Sequence, residues 1–438
     1  MHRFRCIIMG AAGRDFHDFQ TFFRAHPEFR VACFTAEQIP YIDQRTFPKS
    51  LAGPDYDEDI PIFPEARLDE LIAEHDVELV FLAYSDLHHR DVMHKASRVQ
   101  AAGASFALLG PRHTQLASTK PVLAVTAVRT GAGKSPLSLA VAEDLVARGE
   151  RVGVIRHPMP YGDLDKQAVQ RFATNDDLDR HACTIEEREE YQPYIERGLV
   201  IFAGVDYEAI LRAAEAESDV ILWDGGNNDT PFIKPDLWVT VVDALRPGHE
   251  VAYYPGETNL RAADLLVISK VDAAEPEALA GIRARVARLN PTAEVVEVGL
   301  DIVVDGDAIR GKRVLAIDDG PTITHGGMAF GAGSVAAEEH GAAALIDPKP
   351  FAVGSVAATY AKYTHIGPVL PAMGYSDDQR AELAETIRRA APELIVDGSP
   401  ARVSRLLGLD IPTVELRYVL AQRTGDDLFE TIASRLKG

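Results

Sequence analysis

The sequence predicts an α/β protein built on doubly wound, mostly parallel sheets that helices cover on both faces. Short apolar runs of strand length alternate with longer helix-like segments through most of the 438 residues. This alternation is typical of βαβ units, in which a crossover helix joins two parallel strands. Because the chain is longer than one hydrophobic core usually serves, we expect about two to three domains.

The first predicted domain covers residues 1–115 and is Rossmann-like. Its strands are expected at the apolar runs 5–10, 30–35, 78–84 and 104–110. Helical periodicity fills the segments 15–26, 66–75 and 87–102 between them. The turn within MGAAGRDFHDF, residues 9–19, has the strand-glycine-helix form of a nucleotide-binding turn but lacks the three-glycine fingerprint.

A second α/β pattern covers residues 121–300, after a linker at 114–120. Its strands are expected at 121–127, 151–156, 198–202, 219–224, 236–242, 264–268 and 294–298. Its helices are expected at 136–148, 206–217 and 275–289. The remaining residues, 301–438, form a Gly-rich stretch and a C-terminal α/β extension that we expect to complete the core domain.

Composition excludes several classes of function. The formal net charge is −21 and no long Lys/Arg run is present, so we expect no nucleic-acid partner. No window approaches the roughly 20 apolar residues that span a membrane. The three cysteines are far apart, which favours a reducing cytoplasm over a disulfide framework or zinc site. An anionic ligand would therefore need a locally basic pocket.

The most informative segment is PVLAVTAVRTGAGKSPLSLAVAEDLVARG, which begins at Pro121. An apolar strand ends at Ala127, a Gly-containing loop follows, and Lys134 opens an amphipathic helix. The amides of such a loop and helix start form a concave anion site. This pattern predicts a P-loop nucleotide-binding domain. The residues expected to hold the nucleotide are Thr130, Gly131, Ala132, Gly133, Lys134 and Ser135.

The loop matches a variant of the standard P-loop pattern. Val128 stands where the standard pattern has glycine, which indicates the signature-lysine class of P-loop proteins. In that class a basic residue near the start of the loop contacts phosphate, and Arg129 keeps this charge. Lys134 is expected to reach the β- and γ-phosphates. We therefore predict that Lys134, Arg129 and Asp224 carry the chemistry.

Asp224 ends the strongly apolar run VILWD and is followed by two glycines. A carboxylate at this point of a P-loop protein usually holds magnesium through water, and the Ser135 hydroxyl is expected to ligate the ion. Asp163, at the end of RHPMPYGD, is a third candidate ligand. The alternative is that Asp224 ends the strand and only caps the turn that follows it.

SKVD, residues 269–272, ends another buried strand and is similar to the base-binding tetrapeptide Asn-Lys-x-Asp of GTPases, in which the aspartate accepts hydrogen bonds from guanine. The stem of Lys270 would cover the purine and Asp272 would contact it. Ser269 departs from the asparagine of that motif, so both ATP and GTP stay open. A solvated turn is the alternative.

Polar side chains near other strand ends are candidates for substrate binding. Arg156 and His157 follow a strand on the expected ligand side of the sheet. Thr324 and His325 lie in the Gly-rich stretch DDGPTITHGGMAFGAGS, which resembles a functional loop more than a linker.

Several motifs together resemble the cyclic 2,3-diphosphoglycerate synthetase family. They are MGAAGRDFHDF, VRTGAGKS, RHPMPYGDL, WDGGNND, VDALRPGHE and ITHGGM. The resemblance implies an ATP- and Mg²⁺-dependent closure of 2,3-diphosphoglycerate to its cyclic pyrophosphate, with release of ADP and phosphate, by a homodimer. A small phosphorylated anion would then be the substrate, and Arg246 and His249 would join the basic residues around it.

Two other interpretations stay open. A regulatory or chaperone-type GTPase of the signature-lysine class would use the same loop to switch conformation. An NAD-dependent oxidoreductase built on residues 1–115 would have to bind nicotinamide at Gly10–Gly13.

Overall fold

The computed structural model describes residues 2–11, 13–37, 45–157, 164–226, 228–373, 376–399 and 402–437, without the side chains of 185, 186, 300 and 418. Within these ranges, three sheets of mainly parallel strands are each packed against helices, which confirms the predicted α/β class. Among the described helices, none has the length and apolar character needed to cross a membrane.

The N-terminal sheet is built from strands of the first 107 residues. The strands of this region are β1 Phe4–Met9, β2 Phe29–Ala36, β3 Thr46–Phe47, β4 Ile60–Pro64, β5 Leu79–Leu82, β6 Leu87–His88 and β7 Ser105–Ala107. The sheet order is β3-β4-β2-β1-β5-β7, and only the β3–β4 pair is antiparallel. Its helices are α1 Arg14–Thr21, α2 Lys49–Ala52, α3 Leu68–Glu74 and α4 His89–Ala101.

The central sheet follows in the chain. Its region contributes β8 Val122–Ala127, β9 Val152–Arg156, β10 Gln170–Phe172, β11 Val200–Ala203, β12 Val220–Gly225, β13 Leu237–Asp243, β14 Tyr253–Tyr254, β15 Leu265–Ser269 and β16 Glu294–Val303. β14 is not part of the central sheet. It pairs with β6, and this pairing joins the N-terminal region to the central region. Every residue of β8, β12, β13 and β15 is buried, as expected for strands covered on both faces.

Helices lie on both faces of the central sheet. They are α5 Lys134–Ala147, α6 Asn175–Arg180, α7 Ile185–Ile195, α8 Tyr207–Glu217, α9 Gly256–Ala262 and α10 Pro276–Leu289. Along β8, Leu123 and Val125 pack with α5 and α7, whereas Val122 and Ala124 pack with α8. Alternate residues of one strand therefore serve two cores, which is the doubly wound arrangement that the sequence predicts.

The C-terminal region forms a third sheet and then returns to the second. Its strands are β17 Arg313–Asp318, β18 Ala344–Leu345, β19 Leu370–Pro371, β20 Leu394–Asp397, β21 Thr413–Glu415 and β22 Arg417–Thr424. Its helices are α11 Gly306–Ile309, α12 Gly320–Ile323, α13 Ala332–Glu339, α14 Gly354–Lys362, α15 Asp377–Ala390, α16 Val403–Leu406 and α17 Leu428–Lys437. β22 pairs antiparallel with β16, so the central sheet has nine strands in the order β10-β11-β9-β12-β8-β13-β15-β16-β22.

Candidate active site

The polar residues of the site follow five adjacent parallel strands of the central sheet. β9, β12, β8, β13 and β15 are neighbours in that order. Arg156, Asp224, Asp243 and Ser269 are the last or near-last residues of four of these strands, and Lys134 opens the helix after the fifth. The carboxyl ends of parallel strands share one edge of a sheet, where ligands of such folds bind.

The loop 128–133 connects β8 to α5, which begins at Lys134. Gly131 and Gly133 have φ angles of 79° and 103°, a left-handed conformation that side chains other than glycine disfavour. Val128 is 1% exposed and packs with Val242 and Leu260 in an apolar cluster. Val128, which replaces the glycine of the standard pattern, therefore packs in the core at the start of the loop.

A cleft of about 1120 Å³ opens in front of this loop and the start of α5. Its walls come from the central region and from the C-terminal region. The predicted residues that line it are Arg129, Thr130, Gly131, Gly133, Lys134, Ser135, Arg156, Lys270 and Asp272. Among the described residues of its lining, seven side chains are basic and eight are acidic.

Asp224 lies behind the cleft and binds four donors. Lys134 Nζ and Ser138 Oγ donate to one carboxylate oxygen, at 2.8 and 2.6 Å. Tyr194 donates to the other at 2.8 Å, and the Arg156 guanidinium makes a short contact with the same oxygen. Burial would raise the pKa of Asp224, but Arg156 and Lys134 outweigh burial and lower it to about 2. Asp224 is therefore ionised and joins β12 to the P-loop helix.

These contacts decide how magnesium fits. Both oxygens of Asp224 already accept two hydrogen bonds, so the carboxylate fits an indirect contact with the ion through water. Ser135 is exposed in the cleft and is suited to direct ligation. Asp163 lies outside the described residues. Among those that are described, no group of three acidic, His or Cys side chains is placed to hold a metal.

Arg129 and Arg246, both predicted to bind phosphate, donate to the Gly-rich stretch. Arg129 Nη2 donates to the His325 carbonyl at 3.0 Å, and Arg246 Nη1 donates to the Gly326 carbonyl at 2.8 Å. Arg246 also donates to the Thr130 carbonyl of the P-loop at 2.6 Å. We call residues 320–328 the latch segment, because these arginines fasten it to the P-loop.

The aromatic ring of Tyr253 lies under Arg129, at 3.8 Å from the guanidinium carbon. His249, another predicted substrate ligand, lies 3.4 Å from Arg129 Nη1. Burial, and then the charge of Arg129, lower the pKa of His249 to about 4, so this imidazole is neutral near pH 7. The structure places His249 behind Arg129, outside the lining of the cleft.

Arg156 and His157 are adjacent in sequence but occupy different sites. Arg156 lines the cleft and pairs with Glu190 at 2.9 Å as well as with Asp224. His157 lies between the N-terminal and central regions, 3.4 Å from Asp229 and against Gly13 and Gly226. Burial, only partly offset by Asp229, lowers the pKa of His157 to about 4.

Thr324 and His325 lie in the latch segment. Thr324 Oγ1 donates to the Gly320 carbonyl at 2.7 Å, and the His325 ring lies 3.2 Å from the Tyr363 hydroxyl. Neither residue is part of the cleft lining, whereas Thr322 is, and Thr322 packs against Gly131. The residue of this segment that faces the P-loop is therefore Thr322, and not the predicted Thr324 or His325.

Sequence reasoning missed Asp86, which the N-terminal region contributes. Asp86 has a φ of 58° and lies beside Thr130, with its carboxylate 3.5 Å from Arg129 Nε. Burial raises the pKa of Asp86, and Arg129 opposes the rise. Tyr194 and Asp243 were not assigned a role either, although Asp243 lies in VDALRPGHE, one of the motifs that carry the family resemblance. Position was a second signal, because Asp86 and Asp243 both follow apolar runs of strand length.

Comparisons with known proteins indicate the family to which the chain belongs. Residues 197–298 match the family profile described as "Cyclic 2,3-diphosphoglycerate synthetase, P-loop domain". The chain is 56% identical to Arginine synthetase ArcE of Thermococcus kodakarensis, over 95% of this chain and 94% of that protein.

Two further relatives match shorter parts. A cyclic 2,3-diphosphoglycerate synthetase of Thermococcus sibiricus is 30% identical over 22% of this chain and 23% of its own. A tetraacyldisaccharide 4'-kinase of Anaeromyxobacter sp. is 30% identical over 45% of this chain and 57% of its own. Relatives named as synthetases and kinases indicate an enzyme with a nucleotide-binding P-loop domain.

Proposed function

Because this chain belongs to the cyclic 2,3-diphosphoglycerate synthetase family and to the same lineage as Arginine synthetase ArcE, we propose that it is a nucleoside triphosphate-dependent synthetase that forms arginine. The observation that carries the proposal is the charge of the cleft. Among the described residues of its lining, eight acidic side chains accompany seven basic ones, which include the P-loop cation Lys134. Such a lining suits a nucleotide together with an amino acid that bears cationic groups.

Two carboxylates mark the expected place of the cationic end. Glu190 of α7 and Asp319, which follows β17, both line the cleft and lie close enough for the charge of Glu190 to raise the pKa of Asp319 further, after burial. They come from opposite walls of the cleft. Glu190 already pairs with Arg156 at 2.9 Å and Asp319 accepts from Thr322, so a guanidinium or amino group between them would be a further partner that offsets their repulsion.

The balanced reaction is simple. Arginine differs from its ureido counterpart, citrulline, by a nitrogen in place of the ureido oxygen. A balanced synthesis would therefore transfer the γ-phosphoryl group to that oxygen, after which ammonia would displace phosphate from the carbon, yielding arginine, nucleoside diphosphate and phosphate. Lys134 and the amides of 131–135 would stabilise the transferred phosphoryl group, and Arg156 would stabilise the leaving phosphate. Ser135 would hold magnesium, which would supply charge neutralisation to the phosphates.

Closure of 2,3-diphosphoglycerate is the second candidate, and the family profile over residues 197–298 favours it. That reaction needs two polyanions side by side, so it calls for an excess of basic groups in the cleft. The wall formed by α13 offers no free helix amides for a phosphate at Gly333 and Ser334, because both donate to Asp318, at 2.6 and 3.3 Å. We therefore place this reaction second.

Phosphorus NMR with amino-acid analysis separates the candidates. Purified protein is incubated with Mg·ATP or Mg·GTP and either citrulline with ammonium or 2,3-diphosphoglycerate. We expect nucleoside diphosphate, phosphate and arginine in the first mixture only. A cyclic pyrophosphate in the second mixture would replace our proposal with the second candidate. Hydrolysis that no small substrate stimulates would favour the switch interpretation.

Assembly and location remain predictions. The homodimer is what the family resemblance implies, and the cytoplasmic location is inferred from the three separated cysteines. Light scattering after size-exclusion chromatography tests the dimer directly.

A further inference from the structure

Beside the phosphate end, the cleft continues along an apolar wall. The apolar side chains that line this part include Pro136 and Leu139 of α5, Leu420 of β22 and Phe429 of α17. Lys270 and Asp272 line the same cleft. An apolar lining next to a P-loop is suited to a nucleobase.

The tetrapeptide 269–272 is docked on the P-loop. Lys270 Nζ donates to the Gly131 carbonyl at 2.5 Å and to Asp243 at 2.9 Å. Ser269 Oγ makes a short hydrogen bond to the Ala132 carbonyl. Lys270 itself is left-handed, with a φ of 60°. These contacts fix Asp272 beside the P-loop in the lining of the cleft, so this residue is placed to contact the base of a nucleotide held at that loop.

Asp272, however, already has a bidentate partner. Arg423 of β22 donates from Nε to one carboxylate oxygen at 2.9 Å and from Nη2 to the other at 2.7 Å. The same Nη2 contacts Asp301 at 3.0 Å. Gly299 of β16 lies directly beneath the pair, where a Cβ atom would collide with the Asp272 carboxylate. Two neighbouring strands, β16 and β22, therefore hold Asp272 in this pairing.

We propose that Arg423 makes the site select ATP over GTP, by occupying the carboxylate through which guanine would be recognised. The inference rests on the proposed function, because it requires a nucleotide at the P-loop. Guanine presents two N–H donors on the edge that an aspartate would contact, and they would face a guanidinium instead. Adenine offers an acceptor at the corresponding ring nitrogen, so it loses no such hydrogen bond. A lost charge-assisted hydrogen bond corresponds to roughly a tenfold loss of affinity.

Isothermal titration calorimetry with Mg·ADP and Mg·GDP, without any second substrate, tests the proposal. We expect the wild-type protein to bind ADP about tenfold more tightly than GDP. Arg423→Ala should strengthen GDP binding by about tenfold and leave ADP binding unchanged. Addition of Asp272→Asn to that variant should remove the gain, because the gain requires a free carboxylate.

Arg435→Ala is the matched control, because it also removes an arginine from an exposed ion pair, here with Glu294 at 2.6 Å. It should keep the wild-type ratio of the two affinities. An unchanged ratio in Arg423→Ala, or equal affinities in the wild type, would overturn this inference and leave the synthetase proposal standing. Failure of both nucleotides to bind would overturn both. Thermal melts of each variant establish that it is folded.

Discussion

Lys134 contacts the strand-end carboxylate of Asp224 from the first turn of α5, at the mouth of the cleft. A bound polyphosphate would compete for this ammonium group, because it carries more charge than one carboxylate. We expect Lys134→Ala to lower the turnover number by roughly 10²–10³-fold, the usual effect of removing one donor from a developing charge. Steady-state kinetics measure the loss.

Lys437→Ala provides the control for this change, since Lys437 is an exposed residue of α17, 3.8 Å from Glu150. It should retain wild-type turnover. Wild-type activity in Lys134→Ala would show that the phosphoryl group is transferred elsewhere.

Asp224 is also the residue on which the stability of the site depends. In Asp224→Asn, the buried Arg156 loses one of its two carboxylate partners and Lys134 loses its ion-pair partner. Breaking a buried pair from one side costs about 3–5 kcal/mol. Urea denaturation should therefore show a much lower free energy of unfolding.

Asp219→Asn is the matched control, because Asp219 pairs with Arg151 at the surface. Solvent screens an exposed ion pair, so this variant should be nearly as stable as the wild type. Equal stability of the two variants would contradict the structural role of Asp224.

At the scale of single elements, Arg129 and Arg246 of the central region join the latch segment to the P-loop, while Ile323 anchors it in the C-terminal core. Arg246→Ala removes hydrogen bonds to both the P-loop and Gly326. Hydrogen exchange at 320–328 should become faster, and kcat/KM for the nucleotide should fall roughly 10- to 100-fold, because the loop is no longer positioned.

Arg310→Ala, at an exposed position after α11, should change neither quantity. An unchanged rate of hydrogen exchange at 320–328 in Arg246→Ala would show that this arginine does not hold the latch segment.

Elements with a local sequence signal were predictable, and elements defined by distant contacts were not. The apolar run before Lys134 and the one that ends at Asp224 predicted β8 and β12, because strands buried on both faces are apolar throughout. β22 was not predicted, since its apolar run covers only residues 418–421 and its partner β16 lies more than a hundred residues earlier.

The same limit applied to the site. Backbone chemistry and spacing pointed to Lys134 and the loop, but the partners of Arg129 and Arg246 are carbonyl groups, which leave no trace in side-chain types. Asp86 comes from another region of the chain altogether, so its place beside Thr130 required the packing of the N-terminal sheet on the central one.

At the scale of the whole molecule, the N-terminal and central regions meet around two histidines, His17 and His157. His17 is stacked on Phe232 at 4.1 Å, and its Nε2 bonds the Thr114 carbonyl at 2.7 Å. Burial lowers the pKa of His17 to about 3, against 6.5 in the unfolded chain. Below pH 6.5 the unfolded state therefore binds a proton that the folded state does not, so stability falls as the pH drops.

We expect His17→Gln to lose less stability than the wild type between pH 7 and pH 5, by about 2 kcal/mol. Denaturation at a series of pH values measures this difference. His94→Gln, at an exposed position of α4, should keep the wild-type pH dependence. The same slope in His17→Gln and in the wild type would show that this interface does not depend on a neutral imidazole.

The account depends most on polyphosphate binding at residues 131–135, at the edge where the central and C-terminal regions enclose the cleft. A crystal structure with magnesium and a non-hydrolysable ATP analogue tests this directly. We predict β- and γ-phosphates against the amides of Gly131–Ser135, with Lys134 moved from Asp224 onto the phosphates. A triphosphate bound elsewhere, with Lys134 still paired to Asp224, would contradict it.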